Sequence, residues 1–179
     1  MNEIELKFLD IDPQAIEEKL QSLGAEKVYD HVFEEWILQK PEWKSYRGRV
    51  RVRSEKDAIT LAYKETTRST AEGNTEIEFT VSDKQSVLAF LEKLEISIIR
   101  HQQKRRIHFI LDEVSIDIDF WPEIPPLLEL EAASLKQIEA MVKKLGLSLK
   151  ESCDLDALQV IQDRYNIDVT NRKEYLFKK

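Results

Sequence analysis

Period-two alternation recurs along most of this chain, and within each alternating segment the charges are sorted by sign. Glu3-Ile4-Glu5-Leu6-Lys7 sets Glu3, Glu5 and Lys7 on one face of a strand and Ile4 and Leu6 on the other, because residues two apart in a strand point the same way. The same spacing groups Arg49, Arg51 and Arg53 against Val50 and Val52, and Glu76 and Glu78 against Ile77 and Phe79. It also groups Lys104 with Arg106, Asp117 and Asp119 against Ile116 and Ile118, and Glu129 and Glu131 against Leu128 and Leu130. One such strand would be half buried with a solvated face. Six of them ask for more, because like charges aligned on one face repel and crowded carboxylates resist ionising together. A hard divalent cation relieves clustered carboxylates, and a polyphosphate relieves clustered Arg and Lys. The pattern suits a linear polyanion handled as its metal complex; a solvated open sheet or a protein-binding face is the competing reading.

Eight segments carry the strand alternation: Glu3–Leu9, Val28–Leu38, Arg49–Arg53, Ile59–Lys64, Glu76–Val81, Lys104–Leu111, Ser115–Phe120 and Leu127–Ala132. Four helices follow from period and caps: Pro13–Leu23 after Asp12, Lys84–Leu94, Leu135–Leu145 after Ser134, and Leu155–Tyr165 after Asp154. Strands dominate and are mostly adjacent in sequence, which predicts an α+β protein with a largely antiparallel, closed or nearly closed sheet and helices packed outside. Three times an acidic strand (Glu3-Ile4-Glu5, Glu76-Ile77-Glu78, Glu129-Leu130-Glu131) leads through a short link to an amphipathic helix. Those helices stop at Leu23-Gly24, Leu94-Glu95 and Leu145-Gly146, so one unit is used three times. Gln39–Arg47 and Glu65–Thr75 read as loops, and Asp112-Glu113 as a hairpin turn. Residues 1–170 form one domain in this reading, with the basic tail 171–179 frayed and solvated.

Of 179 residues, 27 are basic and 34 acidic, a net charge of −7 that argues against nucleic acid or an anionic membrane as partner. The lone Cys153 permits no intrachain disulfide. No apolar run is long enough to span a bilayer, and the acidic N-terminus does not read as a signal peptide, so a cytoplasmic location is expected. His31, His101 and His108 read as solvated or satisfied by neighbours, and Trp36, Trp43 and Trp121 as core or rim packing. An exposed apolar patch could make a homodimer, at a place the sequence does not show.

The residues that carry the charge pattern also carry a resemblance. Glu3-Ile4-Glu5-Leu6-Lys7 resembles the N-terminal ExExK signature of the CYTH superfamily of triphosphate tunnel enzymes. The likeness continues through Arg51-Val52-Arg53, Lys64, Glu76-Ile77-Glu78, Lys104-Arg105-Arg106, Asp119 and Glu129-Leu130-Glu131, over roughly residues 1–165. The resemblance implies an eight-stranded antiparallel β-tunnel and a triphosphate substrate processed with Mg²⁺ or Mn²⁺. Carried over by position, Glu3, Glu5, Asp119, Glu129 and Glu131 would hold the metal, and Lys7, Arg51, Arg53, Lys64, Lys104 and Arg106 the phosphates. Glu5 and Lys7 are the residues tied most closely to catalysis, with Glu76, Glu78 and Asp117 in support. The stretch Leu61-Ala62-Tyr63-Lys64-Glu65 departs from the family's Thr-x-Lys, which makes Lys64 the least secure cation. Hydrolysis of inorganic tripolyphosphate, thiamine triphosphate or a nucleoside triphosphate is the leading activity, and class IV adenylyl cyclase the alternative. A non-catalytic polyphosphate-binding module fits less well, because the carboxylates are kept. No dedicated general base stands out beyond Lys7 or a metal-bound hydroxide.

Overall fold

A computed structural model describes residues 4–46, 48–55, 58–66 and 74–178. Its principal strands are β1 (Ile4–Phe8), β2 (Glu26–Gln39), β3 (Arg49–Glu55), β4 (Ala58–Thr66), β5 (Asn74–Val81), β6 (Ser97–Leu111), β7 (Val114–Phe120) and β8 (Leu127–Ala132). Two-residue strands β9 (Ser152–Cys153) and β10 (Glu174–Tyr175) join them. The helices are α1 (Pro13–Ser22), α2 (Lys84–Lys93), α3 (Leu135–Leu145) and α4 (Ala157–Tyr165). The strands pair in the order β5-β4-β3-β2-β6-β7-β8-β1-β9, with β10 parallel to β6 beside that path. The α+β class and the eight predicted strands are thus present. Among the described residues the pairing does not close into a ring, and β5 and β9 end it.

The described residues of Met1–His31 and Arg105–Ile167 form one compact unit, and those of Val32–Ser69, Gly73–Lys104 and Asp168–Lys179 a second. In the first, β7, β8 and β1 pair antiparallel and turn Leu6, Phe8, Ile116, Ile118, Leu128 and Leu130 to one side. That side packs on Ile16 and Leu20 of α1 and on Ile138, Met141, Val142 and Leu145 of α3. In the second, Leu38, Val50 and Val52 pack with Leu91 of α2 and Ile96, flanked by Trp36, Trp43, Leu61 and Tyr63. Apolar residues two apart share each buried side, so the intervening charges of the same strands are forced onto the other face.

The threefold unit seen in the sequence recurs as geometry. After α1, α2 and α3 the chain turns through a left-handed residue: Gly24 (φ 78°), Glu95 (φ 62°) and Gly146 (φ 77°). The next amide then bonds back into the helix: Ala25 N to Leu20 O, Ile96 N to Leu91 O, and Leu147 N to Val142 O. This closure satisfies carbonyls that a helix end leaves open. Between β6 and β7, Asp112 (φ 51°) and Glu113 (φ 61°) form a two-residue turn of the left-handed kind that suits strand twist.

Several boundaries differ from expectation. Helix α4 starts later, capped by Asp156 rather than Asp154, because Gln159 returns its side chain to the Asp156 amide in a capping box. Strand β6 reaches back to Ser97, well before Lys104. A 3₁₀ helix, Pro41–Tyr46, occupies most of the Gln39–Arg47 loop, whereas most of Glu65–Thr75 lies outside the described residues. The basic tail is not frayed: β10 pairs Glu174 with His101 and Tyr175 with Gln102, and Tyr175 is buried. No helix among the described residues is long and apolar enough to cross a membrane.

Candidate active site

In the first unit the strand register builds a charged lattice on the face away from α1 and α3. Lys7 of β1 stands opposite Glu129 of β8, Glu129 opposite Asp117 of β7, and Asp117 opposite His108 of β6. The neighbouring row holds Glu5, Glu131 and Ser115, and Arg106 stands opposite Asp119. Arg106 is the hub. Its Nε and Nη2 donate to the two Asp119 oxygens at 2.6 and 2.7 Å, Nη2 also reaches Glu129 at 3.0 Å, and Nη1 pairs with Asp117. Burial alone would depress its pKa, but the three surrounding carboxylates, led by Asp119, hold it well above the usual arginine value. Lys7, 3% exposed, bonds Glu5 and lies 3.6 Å from Glu129.

The second unit carries the remaining cations. Arg51 Nη2 donates to Glu76 at 3.1 Å and Glu78 at 2.7 Å, and Lys64 Nζ lies 2.6 Å from Glu76. Burial, helped by the adjacent Arg51 charge, brings the Lys64 amine down to about 8 against the pull of Glu76. Burial would raise Glu76, yet Lys64 and the arginines hold it below its ordinary value. Arg51 Nε is buried without a hydrogen-bond partner, a donor with capacity left for an anion.

Two contributors here escaped sequence reasoning. Glu35, 2% exposed in β2, accepts from Arg53 Nε at 2.8 Å and from Gln102 Nε2 at 2.7 Å. Burial pushes its carboxyl up, but Arg53, Arg51 and Lys104 outweigh that and bring it to about 2. Arg100, also buried, donates to Gln102 at 2.6 Å and to the Val169 carbonyl. Each left a different signal: Arg100-x-Gln102-x-Lys104-x-Arg106-x-His108 extends the polar phase of β6 backwards, and Glu35 breaks the buried phase Phe33-x-x-x-Ile37.

Of the proposed metal ligands, Glu5, Asp119, Glu129 and Glu131 lie on the first unit's charged face, and Glu3 falls outside the described residues. Asp117 shares that face, where Arg106 and His108 engage it. Among the described residues no three acids converge as a ready ligand set, because Asp119 and Glu129 are drawn to Arg106 and Glu5 to Lys7. The donor chemistry nonetheless fits a hard cation: the opposed Glu5 and Glu131 offer only oxygen. The tryptophans pack as expected, Trp36 stacked on His101 with Lys84 over its ring, Trp43 edge-on to Tyr63, and Trp121 buried.

The family model of the CYTH domain matches residues 1–151. The chain belongs to the CYTH domain family. Solved structures of similar fold support the architecture of this CYTH chain. The PH1012 protein of Pyrococcus horikoshii matches at TM-score 0.72 and 23% identity, over 85% of this chain and 94% of its own. A candidate adenylate cyclase of Vibrio parahaemolyticus matches at TM-score 0.75 and 15% identity, covering 89% and 97%. A candidate adenylyl cyclase of Hippeastrum with a dominant triphosphatase activity matches at TM-score 0.65 and 16% identity, covering 96% and 98%. No curated protein sequence matches. The CYTH match ends before α4 and β10, so the strand that pairs with His101 and Gln102 lies beyond it.

Proposed function

We propose that the chain is an enzyme that hydrolyses a small triphosphate substrate with the help of Mg²⁺ or Mn²⁺. The observation that carries this reading is the sorting of charge, much of it buried or half-buried: cations Arg51, Arg53, Lys64 and Lys104 beside partnering acids in one unit, and acid-rich strands around Arg106 and Lys7 in the other. Buried charges are costly unless paired, and a face that keeps so many is suited to exchanging those pairs for a bound polyanion. Arg51, with its buried unpartnered Nε, and Arg53 would take phosphate oxygens in the forked manner guanidinium allows. Lys64 and Lys104 would add point charges, and Lys7 and Arg106 would neutralise charge near the acids. Glu5 and Glu131, with Glu129 beside them, would hold the divalent cation, which supplies charge neutralisation on the transferring phosphoryl group when bound. The triphosphatase activity named for the Hippeastrum protein favours hydrolysis over cyclisation. A cytoplasmic setting and a small-molecule partner complete the reading.

Incubation with Mg²⁺ or Mn²⁺ and, separately, tripolyphosphate, thiamine triphosphate and ATP tests it. Released orthophosphate that disappears when the cation is chelated is the expected result. Cyclic AMP and pyrophosphate formed from ATP faster than orthophosphate would replace it with the cyclase reading. Binding without any turnover would replace it with a polyphosphate-binding module.

A further inference from the structure

The charged lattice of the first unit contains one side chain whose chemistry the proposed function leaves unused. His108 sits on β6 in the same phase as Arg106 and opposite Asp117. Its Nδ1 lies 2.6 Å from Asp117 Oδ1. An ionised carboxylate only accepts, so Nδ1 donates and, in the neutral ring, the lone pair is left on Nε2. Tyr29 of β2 stacks on the imidazole at 4.9 Å between centroids and stacks in turn on His31, fixing the ring plane. Asp117 itself, 2% exposed, is anchored by Arg106 Nη1. The ring is therefore held from two sides, and Nε2 has no hydrogen-bond partner among the described residues, with 16% of the side chain still open to solvent. A nucleophile's base oriented by a buried acid is a recurrent arrangement in hydrolytic sites.

The remaining groups facing this position are engaged otherwise. Arg106, beside His108 on β6, binds Asp117, Asp119 and Glu129. Lys7, two strands beyond Asp117 in the same row, pairs with Glu5 and Glu129. Tyr29 and His31 contribute ring faces.

We propose that His108 accepts the proton of the attacking water, with Asp117 as its positioning residue. This rests on the hydrolase reading above. In the step, the water oxygen bonds the terminal phosphorus as the bond from that phosphorus to the bridging oxygen breaks. The water's proton passes to Nε2, and the bonding pair departs with the bridging oxygen on the diphosphate. The imidazolium then returns its proton to solvent.

Two measurements test this on the full chain. His108→Asn keeps a donor toward Asp117 while removing Nε2, and His108→Gln is the second variant; both are checked for folding by urea denaturation. Steady-state hydrolysis of tripolyphosphate from pH 5 to 9 should show kcat lowered about 10²–10⁴-fold, KM changed less than about threefold, and the acidic limb of the wild-type profile absent. Asp117→Asn should keep part of the rate and displace that limb, which a merely structural role would not do. Independently of turnover, long-range ¹H–¹⁵N spectra without metal should place the neutral His108 proton on Nδ1, and added tripolyphosphate should shift Nε2 of His108 but not of His101. Folded His108→Asn or His108→Gln with wild-type kcat and pH profile overturns the assignment and leaves the hydrolase reading standing, as does an Nε2 that tripolyphosphate leaves unmoved. A wild type that cleaves no triphosphate overturns both, before any variant is compared.

Discussion

Arg106 shows how one half-buried cation can organise several acids around it. Its guanidinium meets Asp117, Asp119 and Glu129 together, with Lys7 adding a second cation 3.6 Å from Glu129. Removing one partner of a buried ion pair costs far more than the pair's net worth, because the survivors stay desolvated. Arg106→Gln should lose about 3–5 kcal/mol of unfolding free energy in urea titrations, and Arg106→Lys less, since it keeps the charge but not the fork. A variant as stable as wild type would show that the three acids find other partners. Lys64 makes the opposite case. With its amine lowered to about 8 from an ordinary 10.5, the unfolded chain holds a proton there that the folded one has released between those pH values. This site's contribution to stability therefore rises with pH across that window, while its grip on a polyanion fades above pH 8. Calorimetric affinity for tripolyphosphate should weaken about tenfold more from pH 7 to 9 in wild type than in Lys64→Gln; parallel pH profiles would place the pH dependence on groups other than Lys64.

At the scale of elements, the repeated helix stop invites a direct test. Gly24 and Gly146 occupy the left-handed position after α1 and α3, but after α2 it is Glu95, at φ 62°. An L side chain there is strained, whereas glycine is not, at the cost of a more flexible unfolded chain. Glu95→Gly should raise stability by about 0.5–1 kcal/mol in thermal unfolding; a decrease would mean the Glu95 side chain makes a compensating contact. The sequence-to-structure comparison is sharpest at this scale too. Period-two alternation made all eight main strands and both charged faces legible, because burial on one side leaves the other side no choice. Length was less legible. Strand β6 extends back through Arg100 and Gln102, whose polar side chains are buried by pairing with Glu35 and the Val169 carbonyl, contacts from distant segments that no local pattern shows. The tail looked solvated for the same reason, since β10 is held by a main-chain bond from His101 N to Lys173 O and by the buried ring of Tyr175. Within the site, the acids and most cations were readable from their spacing, but Glu35 and the orientation of His108 were not, because each depends on which strand lies opposite.

For the molecule as a whole, a net charge of −7 argues against polyanionic partners only if the charge is evenly spread. It is not. On the two charged faces the described cations Lys7, Arg49, Arg51, Arg53, Lys64, Arg100, Lys104 and Arg106 stand close to balance with the acids Glu5, Glu35, Glu55, Glu76, Glu78, Asp117, Asp119, Glu129 and Glu131. The acidic excess therefore lies elsewhere in the chain, where it does not oppose a ligand small enough to reach the faces. Arg53 is the residue on which to test this separation, since Glu35 holds it at 2.8 Å and Phe33 carries its guanidinium at 4.7 Å from the ring centroid. A guanidinium so placed should serve a chain of phosphates more than a single one, because a longer anion engages more of the cations at once. Arg53→Ala should weaken tripolyphosphate binding by about 10–100-fold and orthophosphate binding much less, with neither protein retained by duplex DNA at 0.1 M salt. Calorimetry with both ligands decides it: an equal loss for the two would place Arg53 at an isolated phosphate site and dissolve the argument that the cations sorted onto its unit's face act together on one polyanion.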